Sequence, residues 1–97
     1  MNIFGFDKAE RFWRRHPDVK SPLLQWRRAV QISEWRNFAE VRRTFPSADL
    51  VGSCVVFNIA GNKYRLISKI NYEKRSIEVR YVLAHQEYDR DSWKKDC

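Results

Sequence analysis

The sequence has 97 residues, 43% hydrophobic, 14% aromatic and 32% charged, with three Gly and three Pro. This size and balance fit one domain over residues 1–97 and exclude two; four Trp, six Phe and four Tyr exclude a disordered chain, and no window reaches the roughly 18 apolar residues of a membrane span. A net charge of +7, from 19 Lys and Arg against 12 Asp and Glu, predicts an anionic partner. Nucleic acid fits better than a membrane surface, because the cations are interleaved with core positions instead of forming a separate amphipathic anchor.

Residues 1–7 lack the long apolar core of a signal peptide, so a cytoplasmic location is expected. Phe6, Ala9, Phe12, Trp13 and His16 then recur at three- and four-residue spacing, which predicts an amphipathic helix of about ten residues closed by His16-Pro17. Ser21-Pro22 reads as a cap followed by a first-turn proline, opening a second helix with Leu23, Trp26 and Val30 on its buried stripe. Phe38, Val41 and Phe45 predict a shorter helix, ended by Pro46 and followed by a loop at Ser47-Ala48-Asp49. From Ser53 the period changes to two: a strand from Cys54 to Ile59, a turn at Gly61-Asn62, a strand over 63–72 and a last strand over 76–84. Helices followed by strands give an α+β fold class.

In the last hairpin, Ile70 and Tyr72 must share a face with Ile77 and Val79. The simplest register pairs Tyr72 with Ile77, Ile70 with Val79 and Lys69 with Arg80, and places Ile77, Val79, Tyr81 and Leu83 on one side with Val82 and Ala84 on the other. Two facing cations flanked by Arg65 call for full solvation or for an anion such as a phosphate. Cys54 and Cys97, the latter the last residue of the sequence, are expected to be reduced. Together with His16 and His85 they share no ligand spacing, so no metal and no cofactor are expected.

Immediately after the last strand, His85-Gln86-Glu87-Tyr88-Asp89 gathers the densest set of proton-transfer groups in the chain. An imidazole, unperturbed, titrates near about 6.5 and suits general acid or base work. Metal-free cleavage of RNA needs a base at the ribose 2′-hydroxyl, cations around the phosphorus and an acid at the departing 5′-oxygen. Arg65, Lys69 and Arg80 supply the charge, and His85 or Tyr88 supplies the acid; Glu87 and Lys69 are the two candidates for the base.

At these positions the sequence resembles a known family. Val56-Phe57-Asn58-Ile59, Gly61-Asn62-Lys63-Tyr64-Arg65-Leu66-Ile67, Ile70-Asn71-Tyr72, Arg80 and His85-Gln86-Glu87-Tyr88-Asp89 look like the HigB toxins of bacterial toxin-antitoxin systems. Phe12-Trp13, His16-Pro17-Asp18, Leu23, Trp26, Trp35 and Phe45-Pro46-Ser47-Ala48 extend the likeness over nearly the whole chain. The resemblance implies a RelE-like fold, with N-terminal helices on a small antiparallel sheet. It also implies an mRNA interferase, an endoribonuclease that cleaves mRNA on the ribosome and inhibits translation. Its partners would be mRNA, the ribosome and a cognate HigA-like helix-turn-helix antitoxin. Arg65, Lys69, Arg80, His85 and Tyr88 are then the catalytic set, and Asn62, Lys63 and Glu87 contact RNA. Ala84 departs from the Thr that commonly precedes the His, and residues 90–97 are idiosyncratic, with Lys94-Lys95 expected in a frayed tail. Two other readings use the same cations: a non-catalytic RNA- or ribosome-binding protein, and an interaction subunit for an acidic partner.

Overall fold

In the computed structural model, which describes residues 1–97, three helices precede and cover most of the sheet. Helix α1 (Asp7–Arg15) buries Ala9 and Phe12, α2 (Lys20–Gln31) buries Leu23, Trp26 and Val30, and α3 (Phe38–Thr44) buries Val41, as the apolar spacing predicts. Asn37 starts α3, its Oδ1 accepting from the Glu40 N–H at 3.0 Å. The start of α2 differs from the expected one. A 3₁₀ turn, Pro17–Val19, leads directly into Lys20, so Ser21 caps nothing and Pro22 lies within the first turn, where its missing N–H leaves no bond unmade.

Five strands form one sheet: β1 (Asn2–Phe4), β2 (Asp49–Val51), β3 (Cys54–Ile59), β4 (Tyr64–Asn71) and β5 (Ser76–Ala84), in the order β1-β5-β4-β3-β2. β1 runs parallel to β5, and the other pairs are antiparallel. The edge strands β1 and β2 leave no pattern in the sequence, because three residues are too few to show alternation. Gly5 lets the chain turn from β1 into α1: its φ is +75°, and a Cβ there would stand 2.6 Å from the Val79 carbonyl oxygen.

The hairpin register differs from the expected one. Ile70 pairs with Ile77, Lys69 with Glu78 and Asn71 with Ser76, while Tyr72 lies outside the strand; Lys69 and Arg80 do not face each other. A β-bulge is the reason. Ser68 pairs with Val79 but Ile67 pairs with Tyr81, so Arg80 is the extra residue on β5. One extra residue inverts the alternation that follows it. Ile77 and Val79 join the core beneath the helices, and so do Val82 and Ala84, whereas Tyr81 and Leu83 turn to the opposite face.

The helix-covered face holds a cluster of 18 buried residues, in which Trp26 and Trp35, with the partly buried Phe45 against them, pack around Phe57, and Phe12 packs on Tyr64. On the opposite face the chain continues through α4 (His85–Asp89) and a 3₁₀ segment, Ser92–Asp96, that lies across the strands. Trp93 is its anchor, buried with Cys54, Val56 and Ile67. Residues 92–97 are therefore docked and not frayed. Cys54 and Cys97 form a disulfide, against the expectation of two thiols: the segment returns to β3, closing a sequence separation of 43 that spacing alone does not reveal. No helix is long and apolar enough to cross a membrane.

Candidate active site

α4 begins where β5 ends, and two hydrogen bonds fix its first turn. The His85 N–H donates to the Lys63 carbonyl at 3.1 Å, tying the helix to the β3–β4 turn. The Glu87 carboxylate accepts from the Ala84 N–H at 3.2 Å, the half of a capping box that does not need a hydroxyl at position 84. His85 itself is exposed, with Nε2 3.3 Å from the Asp89 carboxylate one turn on. Tyr88 is half-buried. Its ring stacks on Trp93 with centroids 5.0 Å apart, and the Arg65 guanidinium stands 5.1 Å from its centroid.

Arg65 is held as well as stacked, because Nη1 donates to the Asn62 carbonyl at 2.9 Å and to the Tyr64 carbonyl at 3.2 Å. The Asn62 side chain accepts from Asn58 at 3.4 Å. Lys63 is exposed, its Nζ 3.8 Å from Asp18. Beside this group runs a groove of about 400 Å³, whose lining includes Phe38, Arg42, Asn58, Arg65 and Tyr88. Two cations, an amide and two aromatic rings along one groove provide charge for a phosphate and a surface for a base.

Lys69 and Arg80 lie apart from it. Arg65, Ile67 and Lys69 alternate on the same face of β4, and Ile67 between them is buried with Trp93. Four residues of extended strand separate Arg65 from Lys69 by about 13 Å. Arg80 is paired with two carboxylates, Glu78 at 3.3 Å and Asp96 at 3.6 Å, and its charged form is favoured first by the bond to Glu78. Asp96 also accepts from the Tyr81 hydroxyl. That bond holds the Asp96 carboxyl below the ordinary range against desolvation, with Arg80 and Lys69 adding to the effect, and it raises the Tyr81 hydroxyl, as does burial.

The structure thus brings Arg65, Tyr88, Asn62, Lys63 and His85 to one end of the outer face and Lys69 with Arg80 to the other, with Trp93 in the middle. Three residues in these surroundings were not singled out from the sequence. Arg42 falls within the short predicted helix around Val41, Asn58 within a predicted strand, and Tyr81 on the side of the last strand with Ile77 and Val79, because the bulge that turns its hydroxyl toward Asp96 leaves no signal in the alternation.

A family model described as the HigB toxin, a RelE-like toxic component of a toxin-antitoxin system, matches residues 19–91. Among curated proteins, the mRNA interferase toxin HigB of Escherichia coli (strain K12) is 27% identical over 86 residues, covering 86% of this chain and 79% of the relative. The mRNA interferase HigB of Escherichia coli O6:H1 is 26% identical over 93 residues, covering 93% and 90%.

Proposed function

The chain belongs to the HigB toxin family, the RelE-like toxic components of toxin-antitoxin systems, and we propose on that premise that it is an mRNA interferase acting on mRNA at the ribosome. The relatives named mRNA interferase match over most of their length. The observation that carries the reading is the Arg65–Tyr88 stack, which lines one groove with Arg42 and Asn58, with the exposed His85 three residues before Tyr88 on α4.

The reaction breaks the bond from phosphorus to the 5′-oxygen. The ribose 2′-oxygen attacks phosphorus as its proton leaves to a base, and the products are a 2′,3′-cyclic phosphate and a 5′-hydroxyl. Arg65 stabilises the charge that grows on the phosphate oxygens, its guanidinium already fixed by two carbonyls and a ring, so little reorganisation accompanies the reaction. His85 donates the proton to the departing 5′-oxygen. With Nε2 directed to Asp89, Nδ1 is the nitrogen that carries this proton. The Tyr88 ring holds Arg65 in place, and Lys69 and Arg80 contribute charge along the RNA backbone. Asn62 and Lys63, on the turn that anchors α4, meet the RNA flanking the scissile bond. Glu87, by contrast, is engaged in capping.

A cognate HigA-like helix-turn-helix antitoxin would oppose this activity in the cell. The test is expression of the chain alone in bacteria: growth arrest with truncated mRNA is expected, and co-expression of the antitoxin restores growth. Unimpaired growth at confirmed expression, with RNA bound but intact, would favour a non-catalytic RNA-binding protein instead.

A further inference from the structure

The reading of the chain as an RNA-cleaving toxin leaves the segment 92–97 without a role, although it occupies the face where Lys69 and Arg80 stand. Four independent contacts hold it there. Trp93 is buried over Ile67, and its Nε1 donates to the Tyr88 carbonyl at 2.9 Å. Asp96 reaches Arg80 and the Tyr81 hydroxyl. The Cys97 carbonyl accepts from the Ser53 N–H at 2.8 Å and from its hydroxyl at 3.1 Å. Cys97 is bonded to Cys54. The turn beneath is shaped for this: Gly52 has φ +58°, and a Cβ there would collide with the Cys97 carbonyl.

The carboxylate of Asp96 sits as an anion among donors. It meets a guanidinium, a phenolic hydroxyl and the field of Lys69, a set that would suit a phosphodiester oxygen equally well. With Asp96 present, the charges of Lys69, Arg80, Glu78 and Asp96 cancel; without it, one positive charge is left over. We propose that Lys69, Arg80 and the Tyr81 hydroxyl form a phosphate-binding subsite for RNA, that the chain's own Asp96 fills it, and that the Cys54–Cys97 disulfide locks it shut. The inference rests on RNA being the ligand of this face. It adds Tyr81 to the RNA-binding groups and makes the strap a redox-controlled plug.

Opening the lock is an exchange with a dithiol reductant. Cys54 is buried and Cys97 only half-buried, so a thiolate of the reductant attacks Sγ of Cys97, forms a mixed disulfide and expels Cys54 as thiolate. The second thiol of the reductant then displaces Cys97. Two electrons pass to the protein, the dithiol becomes a disulfide, and its two protons end on Cys54 and Cys97. In a reducing compartment a disulfide of this kind is transient or redox-sensing, as a lock requires.

The test measures binding and not cleavage. A fluorescein-labelled RNA decamer with 2′-O-methyl riboses cannot be cut through the 2′-oxygen, so loss of nuclease activity would leave the comparison intact. Its affinity is read by anisotropy for air-oxidised protein, for protein reduced with dithiothreitol, for oxidised Asp96→Ala and for reduced Tyr81→Phe. Thiol titration should find no free thiol in the oxidised protein and two after reduction. Reduction should tighten binding about tenfold, on the scale of one charge-assisted hydrogen bond. Oxidised Asp96→Ala should reproduce most of that gain, and Tyr81→Phe should reduce the affinity of the reduced protein. Cys97→Ser should bind like the reduced form; if it fails to fold, chemically reduced wild type gives the same comparison. Equal affinity before and after reduction would overturn the plug, as would two free thiols persisting in air. A gain on reduction that Asp96→Ala does not share would overturn the assignment of Asp96 as the phosphate's stand-in.

Discussion

Beneath α1, α2 and α3 the sheet is closed by 18 buried residues, Trp26, Leu23 and Phe57 among them, whereas the opposite face is closed by four, Cys54, Val56, Ile67 and Trp93. Area removed from water decides the first face, and the helices there need no covalent help. On the second face a single Trp and a disulfide do most of the holding, with an ion pair at the edge. Local stability follows packing, so the outer face can open in part while the helix-covered core stays folded. Chemistry-bearing residues lie on the face that can open.

Substitutions should therefore sort by face. On the outer face, His85→Gln should lower the cleavage rate on the order of 10²- to 10⁴-fold, the usual range for a positioned acid, with thermal stability almost unchanged because the side chain is exposed. Tyr88→Phe keeps the ring that packs on Arg65 and Trp93, and should retain most of the rate. The opposite ranking would make the phenol the acid. On the helix-covered face, Phe57→Ala removes the ring around which Trp26, Trp35 and Phe45 pack, and should cost about 3–5 kcal/mol in a denaturant titration. A loss of under 1 kcal/mol would show that this cluster is not what holds the fold.

Reduction of Cys54–Cys97 tests the border between the faces. Closing a loop of 43 residues is worth about 2–4 kcal/mol, so the reduced protein should unfold at lower denaturant concentration yet remain folded in buffer. Asn37→Ala, which deletes the cap of α3, should cost about 0.5–2 kcal/mol without changing RNA binding.

Acid should release the strap. Asp96 faces Tyr81, Arg80 and Lys69, with Glu78 also on Arg80, and its carboxyl is held below the ordinary carboxylate range. A depressed carboxyl stabilises the docked form fully above its unfolded pKa of about 4, and that contribution is lost as pH falls through the lower folded value. In the reduced protein, Trp fluorescence should report this acid-side change, and Asp96→Asn should abolish it; identical titrations would remove Asp96 from the docking.

The sequence and the structure agree where periodicity is long and packing simple. Leu23, Trp26 and Val30 lie where the helical stripe puts them, and β3, β4 and β5 follow the alternating runs to within a residue or two. Agreement ends at Arg80, because a bulge adds one residue to one strand while leaving both sequences apolar on alternate positions. The expected Lys69/Arg80 pairing fails for this reason, since Lys69 lies opposite Glu78, and the turn of Tyr81 toward Asp96 was equally unreadable. The disulfide and the docked strap depend on contacts across 43 positions, for which two cysteines and a Lys-rich end give no local signal. His85 and Tyr88 crowd one strand end in the sequence itself, and the structure sets Arg65 of β4 against the Tyr88 ring. Their division from Lys69 and Arg80 by Trp93 became visible only in three dimensions.

Cleavage through the ribose 2′-oxygen with His85 as the acid shows itself in the ends of the RNA the protein makes. Reduced protein incubated with a translated mRNA should leave 2′,3′-cyclic phosphate and 5′-hydroxyl ends without added metal, and His85→Gln should leave neither. Products bearing 5′-phosphates, or the same cyclic ends from His85→Gln at the wild-type rate, would contradict it.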